Sequence, residues 1–145
     1  MRIRLGTNLD RPRLRRLDNL SAVADEHEGI QTYVLRRKGI LDYFLQCQGL
    51  IVAEDDDKIV GYMLTHTVDW MHGVSKMIWI EHTGVHPQHR HRGVGYALLK
   101  FTRRYYKGKA VYLYAEIHPN NRNLLALFRK AGAEMWDRVL AFRKI

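Results

Sequence analysis

A single cysteine, Cys47, excludes an internal disulfide, so nothing here staples a small secreted fold. Placed among Phe44, Leu45 and Leu50, Cys47 reads as a small buried side chain rather than a nucleophile. Long apolar runs are lacking too. The start, Met1-Arg2-Ile3-Arg4-Leu5, has no signal-peptide core, and no stretch approaches membrane-spanning length. These absences point to a reducing cytoplasm and away from a membrane. No internal repeat or low-complexity segment interrupts the chain. Acidic residues are scarce beside basic ones: 15 Asp and Glu against 24 Lys and Arg, a formal net charge of +9. At 145 residues and 46% apolar content the chain suits one core but not two, so residues 1–145 are expected to form a single domain.

The excess charge falls in a block at Arg11, Arg13, Arg15 and Arg16 and in a second group, Arg90, Arg92, Arg103, Arg104, Lys107 and Lys109. It fits a solvated surface, an acidic acceptor or a nucleic-acid partner, and charge alone does not choose. No helix-turn-helix or RNA-binding aromatic signature accompanies it, which leaves nucleic acid without a motif.

The stretch that organises the chain is Met77 to Phe101, MIWIEHTGVHPQHRHRGVGYALLKF. Met77–Val85 is apolar on both alternating faces, as suits a central strand, with Glu81, His82 and Thr83 as polar exceptions. Alternation puts Glu81 on the face of Trp79 and Thr83, and His82 on the other. His86-Pro87 stops the strand. Arg90-His91-Arg92-Gly93-Val94-Gly95 then leads into the helical spacing of Tyr96 to Phe101. Strand, basic glycine turn and helix N-terminus together make a phosphate-binding device: converging N–H groups, no intruding side chains and a positive helix end. The spacing matches neither the nucleotide P-loop nor the dinucleotide fingerprint.

Earlier in the chain, Ile3–Leu5 reads as a short strand, and Asn8 or Asp10 as the cap of a helix that shares Leu14, Leu17 and Leu20 on one face. Asp25 to Gly29 reads as a loop, and about Ile30 to Gln46 as a helical region with a break at Gly39. Its buried positions are expected to include Ile30, Val34, Ile40, Leu41, Phe44 and Leu45. Leu50–Ala53 and Ile59–His66 flank the turn-forming Asp55-Asp56-Asp57-Lys58, a hairpin signal. Val68 to Gly73 reads as a loop, where Trp70 and Met71 either meet an acceptor or fold back on the core. After the glycine turn a helix runs to about Lys107, with Gly108 as its stop. Ala110–Ile117 is the next strand, parallel to Met77–Val85 because a helix intervenes. Asn121 caps a last helix, Arg122 to Ala131, that stops at Gly132, and Glu134–Ile145 has room for one long strand or two short ones.

Arg90, Gly93 and Gly95 stand where the GNAT superfamily of N-acetyltransferases has its acetyl-coenzyme A signature, Arg/Gln-x-x-Gly-x-Gly/Ala, and Gly84-Val85-His86-Pro87 resembles that family's lead-in. Near the C-terminus, Asn121 and Gly132 resemble the family's later motif, whereas Leu124, Phe128 and Ala133 depart from its alanine, tyrosine and phenylalanine. The resemblance implies a mixed α/β sheet of about six or seven strands, mostly antiparallel with one central parallel pair, flanked by about four helices. It also implies acetyl-coenzyme A as co-substrate and a primary amine, on a small molecule or a protein, as acceptor. Gly84 and Val85 would hold the pantetheine and thioester by their backbone, and Arg90, Arg92, Gly93, Val94 and Gly95 the pyrophosphate, with Asn121 and Phe128 nearby.

Acetyl transfer needs a neutral amine, hence a base. Glu81 is the first candidate, at a level where many members of that family carry a base, with burial expected to raise its pKa. His82 is the second. Phe128 has no proton for the departing thiolate, so Tyr112, Tyr114 and His118 are the alternatives. His82, His86, His89 and His91 do not share a face and lack a cysteine, so no metal site is expected. A module that binds acyl-coenzyme A without turnover is the alternative function, and the chain is expected as a monomer or homodimer.

Overall fold

The computed structural model describes residues 1–26, 35, 37–70 and 75–136. Among these, five strands form one sheet in the order β1-β2-β3-β4-β5: β1 (Arg2–Leu5), β2 (Leu50–Asp55), β3 (Lys58–Trp70), β4 (Ser75–Val85) and β5 (Tyr112–Tyr114). The first four are antiparallel neighbours, and β5 runs parallel to β4. The helices are α1 (Arg11–Glu26), α2 (Ile40–Gln46), α3 (Val94–Tyr105) and α4 (Arg122–Lys130). Five strands are one or two fewer than expected, and the tail expected to add strands lies, beyond residue 136, outside the described residues.

The hydrophobic pattern sorts the helices onto two faces. Leu14 and Leu17 of α1 and Leu41 and Phe44 of α2 pack with Leu50, Val52, Tyr62 and Leu64. On the other face, Val94, Leu98 and Leu99 of α3 and Phe128 of α4 pack with Ile51, Ala53, Val60, Met63 and Ile80. The alternation along β2, Leu50 and Val52 against Ile51 and Ala53, divides one strand between the two cores. Leu20, expected on the buried face of α1, is 45% exposed.

Several local expectations are corrected. Asp25 and Glu26 belong to α1, not to a loop. A turn at Asn8–Asp10 precedes α1, and its cap is Thr7, whose N–H donates to Asp10 Oδ2 at 2.8 Å. β3 runs on through Val68, Asp69 and Trp70, so that stretch is strand, while Met71 to Gly73 lie outside the described residues. Ile30 and Val34 do too. Gly39, with φ of +79°, sets the start of α2. The strand expected over Ala110–Ile117 is reduced to Tyr112–Tyr114. Cys47 is exposed rather than buried, because it follows the last turn of α2 on the outside.

The buried Asp10 anchors β1, β2 and α1 to one another. Its Oδ2 and Oδ1 accept from Arg4 at 2.7 and 2.9 Å and its Oδ1 from Arg13 at 2.8 Å, while Glu54 holds the other side of Arg4 at 3.1 Å. Hydrogen bonds from Arg4, and then from Thr7, hold the Asp10 carboxyl down at about 2 against the opposing effect of burial.

Candidate active site

Two features shape β4. The first is a bulge: Leu64 pairs with His82 but Thr65 pairs with Ile80, so Glu81 is an extra residue with no partner on β3. Strict alternation therefore fails here. Trp79 lies 6.4 Å, ring to ring, from His66, which contacts Phe44 of the α1/α2 face. His82 lies 5.6 Å from the ring of Tyr62, a member of that same core. Trp79 and His82 thus share a face, contrary to simple alternation, and Thr83, opposite Met63, lies on the other. Glu81 is exposed, so the burial expected for it is absent.

The second feature is divergence from β5. Parallel pairing covers only Met77–Tyr112, Ile78–Leu113 and Trp79–Tyr114, although β4 continues to Val85. Six residues of β4 therefore run on beside no strand pairing with β5, and the gap opens at the level of the bulge. Tyr114 closes its lower end, with its ring 4.7 Å from Trp79. Tyr112 is 61% exposed on the outer edge.

Beyond Val85, Pro87 starts a short 3₁₀ turn through His89, with the His86 ring nitrogen accepting from Gln88 N–H at 3.2 Å. Burial, and then the neighbouring His89, lowers the pKa of His86. The chain then passes through two left-handed residues, His91 (φ +60°) and Gly93 (φ +82°). Gly93 is the N-cap of α3 and has no side chain with which to cap it. The first helical bond recorded at this end is Ala97 N–H to Gly93 C=O at 2.9 Å, so the N–H groups of Val94, Gly95 and Tyr96 have no intrahelical acceptor. α3 is seated against the sheet because Gly61 lacks a Cβ, which would lie 2.7 Å from Val94 Cγ1.

A cleft of about 430 Å³ opens at this helix end, between the end of β4 and α4. It brings together Val85, Arg90, Gly93, Val94, Gly95 and Asn121 from among the residues expected to bind the coenzyme. Two of these have further duties. Arg90 turns its Nε and Nη2 toward the carbonyls of Val85 and Ser21, each at 3.4 Å, and so braces β4 to α1. The Asn121 side chain caps α4 by accepting from Leu124 N–H at 3.0 Å. Gly84 stays out of the cleft, buried against Tyr62. Arg92 is exposed beside it. Phe128 packs in the core, 6% exposed, with Val94 and Leu98, and does not line the cleft. That position is helical and inward-facing, which fixes it as packing. His118 is exposed, its ring nitrogen accepting from Asn120 N–H at 3.2 Å where the chain turns into α4.

The sequence reading missed Ser21, Thr83, Tyr96 and Lys130 in this cleft. Thr83 would have been found by reading the strand as bulged, since its hydroxyl is buried with no hydrogen-bond partner. Lys130 reaches the cleft from the last turn of α4, with its ammonium 5.5 Å from the Tyr96 ring. Among the described residues no group of three or more metal-ligating side chains is found, and no helix is long and apolar enough to cross a membrane.

The site thus combines a parallel pair that diverges at one end of the described sheet with an uncapped, glycine-led helix. The sequence matches the acetyltransferase (GNAT) family over residues 13–133, and the chain belongs to that family. It is accordingly an acetyltransferase with acetyl-coenzyme A as co-substrate. A comparison with curated protein sequences finds no match. Among solved structures it is similar to an aminoglycoside N-acetyltransferase, AAC(6')-Iy, in complex with coenzyme A, at 22% identity and a TM-score of 0.76, covering 99% of each chain. It is also similar to an aminoglycoside acetyltransferase from an uncultured soil metagenomic sample, at 18% identity and a TM-score of 0.76, covering 99% of this chain and 95% of that one. A transcriptional regulator from Bacillus halodurans C-125 has the same fold at 16% identity and a TM-score of 0.77, covering 99% of each chain.

Proposed function

We propose that residues 1–145 form one N-acetyltransferase domain that moves the acetyl group of acetyl-coenzyme A to a primary amine of a small molecule or a peptide. The observation that carries this is the cleft at the uncapped start of α3, beside the unpaired end of β4. The N–H groups of Val94, Gly95 and Tyr96 take the pyrophosphate, and the positive end of α3 favours its charge. The backbone of Val85, past the last β5 pair and lining the cleft, holds the pantetheine and polarises the thioester carbonyl.

Acetyl-coenzyme A supplies an activated acetyl thioester. The amine nitrogen attacks the carbonyl carbon, the carbon–sulfur bond breaks, and its electron pair leaves on sulfur. Glu81 takes the proton the nitrogen must lose, and its exposure at the bulge suits a base that works through water. Tyr114, paired with Trp79 where the two strands part, is the first candidate to protonate the thiolate, ahead of the exposed His118.

The test is release of coenzyme A thiol from acetyl-coenzyme A over a panel of small amines and peptide N-termini. Turnover with any amine establishes the transferase. Binding of coenzyme A with no turnover over the whole panel replaces it by an acyl-coenzyme A-binding module.

A further inference from the structure

The transfer reading leaves the acceptor's seat open, and α1 marks one. Asp18 is 1% exposed. Its Oδ1 accepts from the hydroxyl of Tyr62 at 2.5 Å, while its Oδ2 is buried with no hydrogen-bond partner. A buried carboxyl oxygen left without a donor is costly, and a ligand bearing N–H groups removes the cost. Asp18 also lines a cavity of about 540 Å³ between α1 and the start of α2.

That cavity and the coenzyme cleft share no lining residue, but α1 contributes to both. Ser21, three residues after Asp18 and buried on the same side of α1, lines the cleft at Arg90 and Gly93. One helical turn, about 5 Å, separates the two positions. Tyr62 ties Asp18 to β4 as well, because its hydroxyl meets Asp18 while its ring covers Gly84.

The charge of the lining selects the ligand. Arg11 is held by Asp42. Arg15, Arg37 and Lys38 are exposed around the cavity and make no ion pair among the described residues. Three cations with no ion pair among the described residues, over one buried acid, repel a polycation and attract a molecule with both signs of charge. We propose that this cavity is the acceptor site and takes an amine that also carries a carboxylate or phosphate. Its ammonium sits on Asp18 Oδ2 and its anion on Arg15, Arg37 and Lys38. The assignment rests on the transfer reading for the chemistry that follows, though not for the binding.

The test compares matched acceptors in the thiol-release assay: phenylalanine with phenethylamine, phosphoethanolamine with ethanolamine, and an aminoglycoside beside them. Calorimetry of each against the coenzyme A-loaded protein runs in parallel. In at least one pair the anionic member is expected to have kcat/KM higher by about tenfold or more. The pair that responds tells carboxylate from phosphate. Asp18→Asn is expected to lose acceptor binding. Should that variant not fold, the surface variant R15A/K38A, with folding checked by its coenzyme A affinity, is expected to raise the anionic acceptor's KM by about tenfold. Equal kcat/KM within both pairs, or preference for the aminoglycoside, overturns the assignment and leaves acetyl transfer standing. Anionic amines that bind without turnover uphold the site and overturn the transfer reading. Neither binding nor turnover overturns both.

Discussion

The Tyr62 hydroxyl meets the Asp18 carboxyl at 2.5 Å, and both side chains are buried. The bond ties the middle of β3 to α1, and it is the described side-chain hydrogen bond holding that carboxyl. Tyr62→Phe removes the donor without changing the shape of the ring and leaves both oxygens of Asp18 unsatisfied. Stability should fall by about 1–3 kcal/mol. Urea unfolding measures this as a lower midpoint at unchanged slope. An unmoved midpoint would mean that Asp18 finds another donor.

Glu81 stands outside the β3 pairing, so its replacement leaves the ladder alone. With Glu81→Gln, turnover at neutral pH should drop by roughly a hundred- to ten-thousand-fold. The loss should shrink at high pH, where more of the amine is already neutral. A native rate across the pH range assigns Glu81 a purely structural place, and Tyr114 becomes the next residue to replace.

Gly93 holds φ at +82° with nothing within 4 Å of where a Cβ would go. Space is therefore not its constraint; backbone conformation is. A valine there is forced away from the left-handed region, which disturbs the N–H groups that follow. Gly93→Val should weaken coenzyme A binding by about tenfold or more, whereas Gly93→Asn, which tolerates that region, should retain most of it. Equal affinity of the native chain and the valine variant in a calorimetric titration removes the pyrophosphate from this turn.

Asp10 governs the acid limb of stability. Its carboxyl sits at about 2 in the folded chain against an ordinary 3.8. The unfolded chain therefore binds the proton first as pH falls. The stabilisation is complete above the ordinary value and disappears as pH drops through about 4 toward 2. Asp10→Asn should cost about 3 kcal/mol at neutral pH by removing the buried carboxylate that Arg4 and Arg13 share, with Glu54 as the partner left to both, and should flatten the melting-temperature profile between those pH values. A profile as steep as the native one places the acid sensitivity elsewhere.

The order of elements was legible because each is announced by local chemistry. The hairpin around Asp56 and Asp57, the strand before Pro87, the cap at Asn121 and the stop at Gly132 all depend on residues within a few positions of the event, whereas α3 ends at Tyr105, short of the Gly108 expected to stop it. The glycine turn was legible for the same reason. What escaped depends on distant partners. Nothing near Glu81 signals an extra residue, because the bulge is defined by how Leu64 and Thr65 meet the facing strand. The alternation was consequently carried one residue too far, and His82 was placed on the wrong face. Phe128 was read by its place in a motif, although its helical position turns it into the core. Ser21 comes from α1, remote in sequence from the turn whose cleft it lines, so spacing alone had no means of joining them, while Thr83, close in sequence, was put on the wrong face by the unread bulge.

The bulge separates the upkeep of the sheet from whatever is done at position 81. Leu64–His82 and Thr65–Ile80 are both satisfied without Glu81. Loss of that one codon would straighten β4 while every pair on either side keeps its mate. Such a deletion should yield a folded chain with a near-native melting temperature and an altered separation of β4 from β5. Comparing its turnover with that of Glu81→Gln would divide what the carboxyl does from what the kink does, a division that no side-chain replacement at this position makes.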